Sequence, residues 1–311
     1  MTNCLINALS ELAKIYAIMG QEYKSRAYHK AILELKNARM DSISPAIRDK
    51  ISEYNNSGRI AELEKLKKDT KIRAYMELSR ILGVGPATIE KWWDLKIRSI
   101  ANLRAAVAKK KVALNKMQKY GLRYYDDLNT RIPRAEVASL GGYIKQTLIQ
   151  INPNIIFEIA GSYRRGAESS GDIDIIVSDR GHFVQDLLES LVTELSHDPR
   201  YIDTLSKGLE RVTFLYKYAD RVRQVDILNI PYPSYYAALV YFTGSYEFNT
   251  VMRGFAKTHG FRLNQNGLFK ISAKGMTHVP IQSEQELFQL LGLEYVSPSA
   301  RDNPTVKPLK K

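Results

Sequence analysis

The segment 161–177 restricts the possible folds of this chain more than any other part of the sequence. It places Asp172 and Asp174 two positions apart within a run of β-branched residues. Since side chains alternate between the two faces of a strand, both carboxylates are expected on one face, opposite Ile173 and Ile175. Two carboxylates this close repel each other and raise each other's pKa, and a cation between them removes that penalty. The segment therefore predicts a strand that carries a metal site.

The residues around this acidic pair suit a phosphate ligand. Hard divalent ions such as Mg²⁺ bind carboxylate oxygens and keep coordination positions open for phosphates. Upstream, Gly161 allows close approach of the backbone, Ser162 offers a hydroxyl group, and Arg165 offers a planar cation. The pattern predicts phosphoryl or nucleotidyl transfer.

Asp226 is the best candidate for a third carboxylate. Valine and isoleucine flank it on a predicted strand at 224–230, and a charged residue in this setting lies either at a sheet edge or in a site. A single salt-bridged aspartate is the alternative. We expect the three aspartates to hold two Mg²⁺ ions, with Mn²⁺ as a substitute, for attack by a primer 3′-hydroxyl on a triphosphate. Asp172 and Asp174 are expected to bridge both ions, and Asp226 to bind only the ion at the hydroxyl.

The composition favours a nucleic-acid partner over a membrane. The 311 residues contain 46 lysines and arginines against 33 acidic residues, a formal net charge of +13, and such an excess suits a polyanion. The single cysteine, Cys4, excludes a disulfide framework and a cysteine-based zinc site. The apolar runs are too short to span a bilayer, and we expect no secretory signal. We expect a monomer that does not bind membranes.

The order of elements predicts an α+β fold. Residues 1 to about 130 show helical periodicity, and the strands begin after residue 154. From there the predicted order is a strand at 155–160, a loop, a strand at 172–178, a helix at 186–195, and two strands at 212–218 and 224–230. The tail 297–311, rich in proline and charge, is expected to fray.

The segment 82–89 has the sequence form of a helix-hairpin-helix element. Gly83 and Gly85 precede a helix, so backbone amides can face outward and meet a phosphate. An ordinary turn is the alternative. Residues 96–123 contain nine lysines and arginines and no acidic residue. Beside such a hairpin this charge run favours a DNA-backbone track over a merely solvated face.

Aromatic residues precede a turn in the segment 241–245. Tyr241 and Phe242 form the pair, and Asn249 and Arg253 follow on one face of a helix. An aromatic cluster is more often core than a ligand platform. Next to a nucleotide site, its rings and backbone can instead press on the sugar and base.

Lys50 follows a predicted helix start at Ser44-Pro45. A lysine partly shielded by apolar surface can lose its proton and form a Schiff base with a sugar aldehyde. From the residues alone, a surface lysine is the favoured interpretation.

Together these motifs resemble the family X DNA polymerases, and within that family the beta type. The matching segments keep the family's order and approximate spacing from about residue 24 to residue 295, and they are 131–134, 161–174, 204–208, 241–245 and 249–253. The resemblance implies template-directed addition of deoxynucleotides to a primer in short DNA gaps, as in base-excision repair. It implies an α+β fold in four parts: an all-helical lyase domain (1–70), a helix-hairpin-helix subdomain (71–133), a catalytic palm of the nucleotidyltransferase type (134–231) and a small α+β nucleotide-binding subdomain (232–311).

The resemblance also implies contacts to the incoming deoxynucleoside triphosphate. The implied triphosphate contacts are Arg131, Ser162, Arg165 and Gly171. The residues implied to lie beside the sugar are Tyr241, Phe242 and Gly244. Those implied at the incoming base and near the templating strand are Asn249 and Arg253, respectively.

A second activity, 5′-deoxyribose-phosphate lyase, is implied through a Schiff base on Lys50, with Lys24 and Tyr28 in support. The lyase domain departs from the family pattern at two places. Ile43-Ser44-Pro45 replaces the Gly-x-Gly of the family's first hairpin, and Ala46 stands where a further lysine is frequent. We therefore expect a weaker grip on the 5′-phosphate of a gap.

In the second hairpin, Gly83 and Gly85 are implied DNA contacts. The implied main-chain ligands of a Na⁺ or K⁺ ion that bridges to a DNA phosphate are Ser79, Ile81 and Val84. The palm departs from the family at Gln224 and Leu228, and the nucleotide-binding subdomain departs from it at Tyr246 and Asn266. We expect the chemistry to survive these changes, and fidelity and the open-to-closed motion to differ.

Gapped or nicked DNA and a deoxynucleoside triphosphate are the expected partners. A template-independent nucleotidyltransferase of the terminal-transferase type is the first alternative, because the Gly-Ser and Asp-x-Asp core is shared among such enzymes. A gap-binding protein without lyase activity is the second. A nuclear repair enzyme and a viral enzyme that works in the cytoplasm or the virion both fit the sequence.

Overall fold

The computed structural model describes residues 2–36, 39–181 and 183–309. The chain divides into two compact units, Met1–Tyr125 and Asp126–Lys311. Within the described ranges, no helix has both the length and the hydrophobicity needed to cross a bilayer. The four-part division expected from the sequence stays a prediction.

The described part of the first unit is helical, as its periodicity predicts. Its helices are α1 (Thr2–Ile18), α2 (Glu22–Lys36), α3 (Pro45–Ser57), α4 (Ala61–Lys68), α5 (Thr70–Leu78), α6 (Pro86–Asp94), α7 (Ile100–Ala108) and α8 (Lys116–Arg123), and α9 (Tyr125–Leu128) begins at its last residue. One apolar cluster joins α1 to α4 and the start of α5. A second runs from α5 to α8.

Capping residues set several of these helix starts. Asp69 accepts two backbone N–H groups of the first turn of α5, and Asn115 forms a capping box with Gln118 at α8. Pro45 begins α3, and Ser44 occupies the N-cap position, as predicted. The Ser44 side chain makes no capping hydrogen bond, so proline geometry carries this helix start.

The second unit mixes helices and strands. Its elements are β1 (Ile132–Pro133), α10 (Arg134–Ile151), β2 (Ile155–Ile159), α11 (Gly161–Arg164), β3 (Ser169–Ser170), β4 (Ile173–Asp179), α12 (Leu187–Ser196), β5 (Tyr201–Lys207), β6 (Arg211–Tyr218), β7 (Arg221–Asn229), α13 (Tyr235–Thr243), α14 (Tyr246–Thr258), β8 (Phe261–Asn264), β9 (Gly267–Ser272), β10 (Gly275–Val279) and α15 (Glu284–Leu290). The α+β fold predicted from the sequence is confirmed.

A five-stranded sheet carries the site, with the strand order β2-β4-β7-β6-β5. Strands β4 and β7 are parallel, and the other neighbours are antiparallel. Strands β8 to β10 form a separate antiparallel sheet, and β1 pairs with β3. The register of the parallel pair places Ile173 and Asp174, the first residues of β4, beside Val225 and Asp226 in the middle of β7.

Strand β4 is covered on both faces, which explains its nearly continuous apolar sequence. Ile173, Ile175 and Val177 are fully buried in a cluster that includes side chains of α10 and α12. Ile176 packs on the opposite face with residues of α13. Asp174 points to this second face, as the predicted alternation requires.

One strand of the five-stranded sheet escaped prediction, as did the strands outside that sheet, which are β1, β3, β8, β9 and β10. Strand β5 contains mostly half-exposed side chains and lies at the edge of the sheet. An edge strand needs few apolar residues, so its sequence lacks the signal that marks β4.

The expectation that the tail frays is wrong for residues 297–309. The Arg301 side chain is fully buried, and its Nη1 donates to Glu284 Oε1 at 2.8 Å. An isolated bridge pairs Leu293 with Pro308. A buried charge pair holds the segment in place, although its composition is typical of a loose end. Residues 310 and 311 lie outside the described residues.

Candidate active site

Three aspartates meet where β4 begins, beside the middle of the neighbouring strand β7. Asp174 on β4 lies directly beside Asp226 on β7, and Asp172 precedes β4 by one residue. One carboxylate oxygen from each residue lies within 4.8 Å of the others. The three predicted metal ligands, called here the aspartate cluster, are therefore brought together in an arrangement that could hold a metal ion.

The electrostatics of this cluster favour a bound cation. Burial, followed by the charges of Asp172 and Asp226, raises the pKa of Asp174 to about 7. Dense protein surroundings and the charge of Asp226 also raise the pKa of Asp172, although its side chain remains open to solvent. A divalent cation would offset this repulsion. The oxygen-only donor set also suits a hard ion such as Mg²⁺.

Asp226 is the buried member of the cluster, and three side chains of the sheet hold it. Arg211 donates to its Oδ1 from Nε at 3.1 Å and from Nη2 at 2.5 Å. Thr213 Oγ1 donates to the same oxygen at 2.6 Å. Gln224 Nε2 donates to Oδ2 at 2.6 Å. Sequence reasoning missed Arg211 and Thr213, because their partner lies on a different strand.

Gly161 fits closely against the cluster. Its φ is +57°, and a Cβ atom there would lie 2.6 Å from Asp174 Oδ2. Both the left-handed conformation and the lack of space exclude a side chain. The glycine thus lets the turn before α11 pass directly beside the carboxylate.

The other predicted triphosphate contacts lie around this turn. Ser162 Oγ donates to Ser170 Oγ at 2.9 Å. Arg131, placed by the pairing of β1 with β3, donates from Nε to Ser169 Oγ at 2.8 Å. A Cβ at Gly171 would meet no atom within 4 Å. The backbone there is open to a ligand.

Arg165 lies near the aspartate cluster, and two hydrogen bonds hold its guanidinium group. Its Nη1 donates to the Thr243 carbonyl oxygen at 2.7 Å, and its Nε donates to Asp302 at 2.6 Å. Its charge acts to lower the pKa of Asp174, against the larger effect of burial. The predicted phosphate contact is therefore close to the cluster, next to the turn after α13.

The predicted sugar and base contacts cluster at the junction of α13 and α14. Asn249 Nδ2 donates to the Tyr241 carbonyl oxygen at 2.6 Å, and Arg253 Nε donates to the Asn249 carbonyl oxygen at 3.2 Å. The rings of Tyr241 and Phe242 meet edge to face at 5.1 Å. Gly244 has a φ of +69°, and its peptide bond to Ser245 is cis.

A buried ionic network behind this site was not predicted. Arg164 donates to Glu284 Oε2 at 2.9 Å, to Glu284 Oε1 at 3.0 Å and to Thr243 Oγ1 at 2.9 Å, and Arg301 also donates to Glu284 Oε1. Burial would raise the pKa of Glu284, but the two arginines lower it overall. The network ties α11 to α15 and the C-terminal segment, so it fixes the turn that carries Arg165. The Arg164-Arg165 pair was a signal for this site, whereas Arg301 gave none.

In the first unit, the predicted lyase residues surround one carboxylate. Lys50 Nζ lies 3.0 Å from Glu62 Oε2, with 24% of its side chain exposed. Tyr16 donates a hydrogen bond to Glu62 and stacks on Tyr28 with ring centroids 5.7 Å apart. Lys24 Nζ lies 4.7 Å from the centre of the Tyr16 ring. Lys50, Lys24 and Tyr28 are thus neighbours, and Tyr16 and Glu62 complete a group that sequence reasoning had not assembled.

A cavity in the same unit is lined by three cations and one carboxylate, Asp41. It has a volume of about 690 Å³ and lies between α2 and α3. Its lining includes Tyr23, Arg26, Lys30 and Arg48, and Tyr23 is 88% exposed.

The hairpin between α5 and α6 needs only one of its two glycines for its shape. Gly83 has a φ of +75°, and a Cβ there would lie 2.8 Å from Met117 Cβ. Gly85 caps α6 in an extended conformation and faces open space. Ser79, Ile81 and Val84 follow α5 through this turn, where the Val84 amide donates to the Ile81 carbonyl oxygen at 3.1 Å. The cation site proposed for these carbonyls stays a prediction.

Family models match most of the second unit and the later part of the first. The family described as the DNA polymerase beta palm matches residues 131–232, and the DNA polymerase beta thumb matches residues 238–302. The fingers domain of DNA polymerase lambda matches residues 76–129. The aspartate cluster lies within the palm match.

Curated relatives resemble the chain over most of its length. DNA polymerase lambda of Rattus norvegicus is 29% identical over 94% of this chain and 55% of the relative. DNA polymerase lambda of Arabidopsis thaliana is 30% identical over 94% of this chain and 60% of the relative. DNA nucleotidylexotransferase of Gallus gallus is 26% identical over 82% of this chain and 56% of the relative. The chain thus spans little more than half the length of these relatives.

Proposed function

Because this chain belongs to the family X DNA polymerases, we propose that it is a template-directed DNA polymerase that fills short gaps, as in base-excision repair. One observation carries the proposal. The aspartate cluster assembles beside the Gly161 turn, with Arg165 close to the same carboxylates. Gapped or nicked DNA and a deoxynucleoside triphosphate are the proposed substrates, and the active species is proposed to be a monomer.

The aspartate cluster is the proposed holder of two Mg²⁺ ions, with Mn²⁺ as a substitute. Its donor set and its internal repulsion fit divalent ions. When bound, such ions lower the pKa of a primer 3′-hydroxyl and stabilise the charge on a leaving pyrophosphate. Asp226, the buried member of the cluster, is proposed to bind only the ion at the hydroxyl, as the family resemblance implies.

The chain's own residues are proposed to position the nucleotide. Arg165 and Arg131 offer planar donors to the triphosphate oxygens, and Ser162 offers a hydroxyl group. The open backbone at Gly171 lets the phosphates approach its amide.

On the other side of the nucleotide, the segment from Tyr241 through Phe242 to Gly244 is proposed to press on the sugar. Asn249 is proposed to read the minor-groove edge of the incoming base, and Arg253 to lie near the templating strand. The hydrogen bonds among Tyr241, Asn249 and Arg253 support one rigid surface for these roles.

Primer extension on a one-nucleotide gap tests the polymerase proposal. We expect extension by the wild type with Mg²⁺, no extension without a divalent ion, and a loss of at least a hundredfold in Asp226→Asn. Asp220→Asn, in the exposed turn between β6 and β7, is the matched control and should extend normally. A wild type that fails to extend this substrate would rule out the proposal.

A lyase activity is the second part of the proposal. Lys50 Nζ attacks the C1′ aldehyde of a 5′-deoxyribose phosphate, water leaves, and the resulting imine undergoes β-elimination that releases the 5′-phosphorylated DNA. Glu62 lies 3.0 Å from Lys50, so it can accept and return protons. Lys24 and Tyr28 are proposed to support this site.

Ala46 cannot offer positive charge to a 5′-phosphate. We propose that Arg26, Lys30 and Arg48, which line the cavity between α2 and α3, offer it instead.

Borohydride trapping on an incised abasic site tests the lyase proposal. We expect a covalent adduct with the wild type and with Lys68→Ala, and a loss of at least tenfold with Lys50→Ala. Equal trapping by Lys50→Ala would show that another amine forms the imine.

A second candidate function is template-independent addition, favoured by the similarity to DNA nucleotidylexotransferase. A single-stranded primer separates the two candidates. Template-directed synthesis predicts insertion of the complementary nucleotide on the gapped substrate and little addition to the single strand. Comparable addition of all four nucleotides to both substrates would favour the second candidate.

The helix-hairpin-helix turn is proposed to bind the DNA backbone through the amides around Gly83 and Gly85. The main-chain carbonyls of Ser79, Ile81 and Val84 are proposed to hold Na⁺ or K⁺ there. We propose a nuclear location for a cellular enzyme, and the cytoplasm or the virion for a viral one.

A further inference from the structure

Protein donors saturate Oδ1 of the Asp226 carboxylate, whereas Oδ2 accepts a single hydrogen bond. The carboxylate accepts hydrogen bonds on Oδ1 from Arg211 and Thr213, and on Oδ2 from Gln224. A carboxylate oxygen that already accepts three hydrogen bonds has no lone pair left for an inner-sphere ion. A divalent ion at Oδ1 must therefore displace at least one of these donors.

The three donors differ in their freedom to leave. Thr213 lies opposite Asp226 in the β6–β7 pairing, and only 4% of the residue is exposed. Gln224 lies two residues from Asp226 on the same strand and bonds to the other oxygen. Arg211 is at the first position of β6, with 58% of its side chain exposed. Its long side chain can swing into solvent without disturbing the sheet.

Arg211 is also the cation in direct contact with the cluster. Arg165 bonds to Asp302 and Thr243, and Arg131 bonds to Ser169. In contrast, Arg211 makes its charge-assisted bonds to Asp226 itself, so it offsets negative charge where an ion would otherwise do so.

We propose that Arg211 is a tethered counter-ion: it occupies Asp226 Oδ1 in the ion-free protein and leaves when a divalent ion binds. The arginine stabilises the empty site and competes with the ion for the same oxygen. Thr213 and Gln224 stay and orient the carboxylate. This inference rests on the proposed metal site, and it makes Arg211 a positioning residue that sets the ion concentration at which the site fills.

Mn²⁺ binding to the full chain, followed by electron paramagnetic resonance without DNA or nucleotide, tests the inference. We expect Arg211→Gln to bind Mn²⁺ about three- to tenfold more tightly than the wild type, since the competing ion pair is partly exposed. Arg211→Lys should fall between the two. Lys217→Gln removes an exposed positive charge from the far end of the same strand, and its Mn²⁺ affinity should match the wild type.

A second readout follows the guanidinium directly. With ¹⁵N-labelled arginine, the Nε–H resonance of Arg211, assigned by its absence in Arg211→Gln, should shift as Mg²⁺ fills the site. A resonance that stays in place while Mg²⁺ binds would overturn the inference, as would Mn²⁺ affinity in Arg211→Gln equal to or weaker than that of the wild type. If Asp226→Asn and the wild type show the same negligible Mn²⁺ binding, the proposed metal site fails and the inference fails with it.

Discussion

At the scale of single residues, the site depends on the atom that Gly161 lacks. The left-handed turn and the contact with Asp174 are two separate reasons for glycine at this position. The Gly-Ser motif predicted only that the backbone approaches a ligand closely at this position. The left-handed φ and the contact with the Asp174 carboxylate are seen only in the structure.

Gly161→Ala is expected to lower the free energy of unfolding by about 1–3 kcal/mol, through the strained φ and the 2.6 Å approach to Asp174 Oδ2. It should also weaken Mn²⁺ binding, because Asp174 must move. Urea denaturation and Mn²⁺ titration measure the two effects. Gly142→Ala, inside α10 and free of neighbours within 4 Å, should be as stable as the wild type or more so. Equal stability of the two variants would contradict the argument.

Asp198 shows how one carboxylate can join separate elements. It accepts hydrogen bonds from Tyr143 of α10 at 2.8 Å and from Tyr216 of β6 at 2.5 Å, and it pairs with Arg200. The Arg200 hydrogen bond is the main cause that holds the pKa of Asp198 well below its usual range. The carboxylate thus links the helix layer to the sheet that carries the aspartate cluster.

Because the pKa of Asp198 is lower in the folded state, its stabilisation is present above the unfolded pKa of about 3.9 and is lost as pH falls. Asp198→Asn should lower the free energy of unfolding by about 1–3 kcal/mol at pH 7. The difference from the wild type should shrink below about pH 4. Denaturation curves at pH 7, 5 and 3 measure this trend, with Asp220→Asn as the control. A difference that stays constant across this range would exclude the linkage.

At the scale of elements, the hairpin between α5 and α6 separates structural from binding roles. Gly83 is required by its φ of +75° and by Met117, whereas Gly85 faces open space. Gly83→Ala should therefore lower the thermal stability of the first unit. Gly85→Ala should leave stability unchanged and weaken binding to gapped DNA, because its methyl group stands where a phosphate approaches. Unchanged DNA affinity in Gly85→Ala, measured by fluorescence anisotropy, would argue against DNA at this turn.

At the scale of the whole molecule, the two units have separate apolar clusters. Those of the first unit use buried residues 5–122, and those of the second use buried residues 132–293. A unit with its own core can fold alone.

We expect a fragment of residues 126–311 to unfold cooperatively and to bind Mn²⁺ within threefold of the full chain, since it contains the whole aspartate cluster. Its affinity for gapped DNA should drop at least tenfold, because the basic segment 96–123 is removed. Circular dichroism, Mn²⁺ titration and anisotropy measure the three properties. A fragment that folds and loses Mn²⁺ binding would show that the site needs the first unit.

The sequence by itself determined the class of fold and predicted which aspartates form the cluster. The acidic pair within an apolar run fixed β4 and its two faces, because alternation along a strand is a local property. Asp226, between a valine and an isoleucine, indicated a second strand with an acidic residue, and Gly83 and Gly161 indicated turns. These signals arise within a few residues, so they can be read without a fold.

Only the tertiary structure decided which side chains meet across elements. Arg211 and Thr213 reach Asp226 from a neighbouring strand, and Glu62 reaches Lys50 from another helix. Arg301 is buried in a segment whose composition indicated a loose tail, because a partner distant in sequence, Glu284, compensates its charge. A charged side chain carries no local sign of its partner, since pairing depends on the path of the chain through space and not on spacing along it.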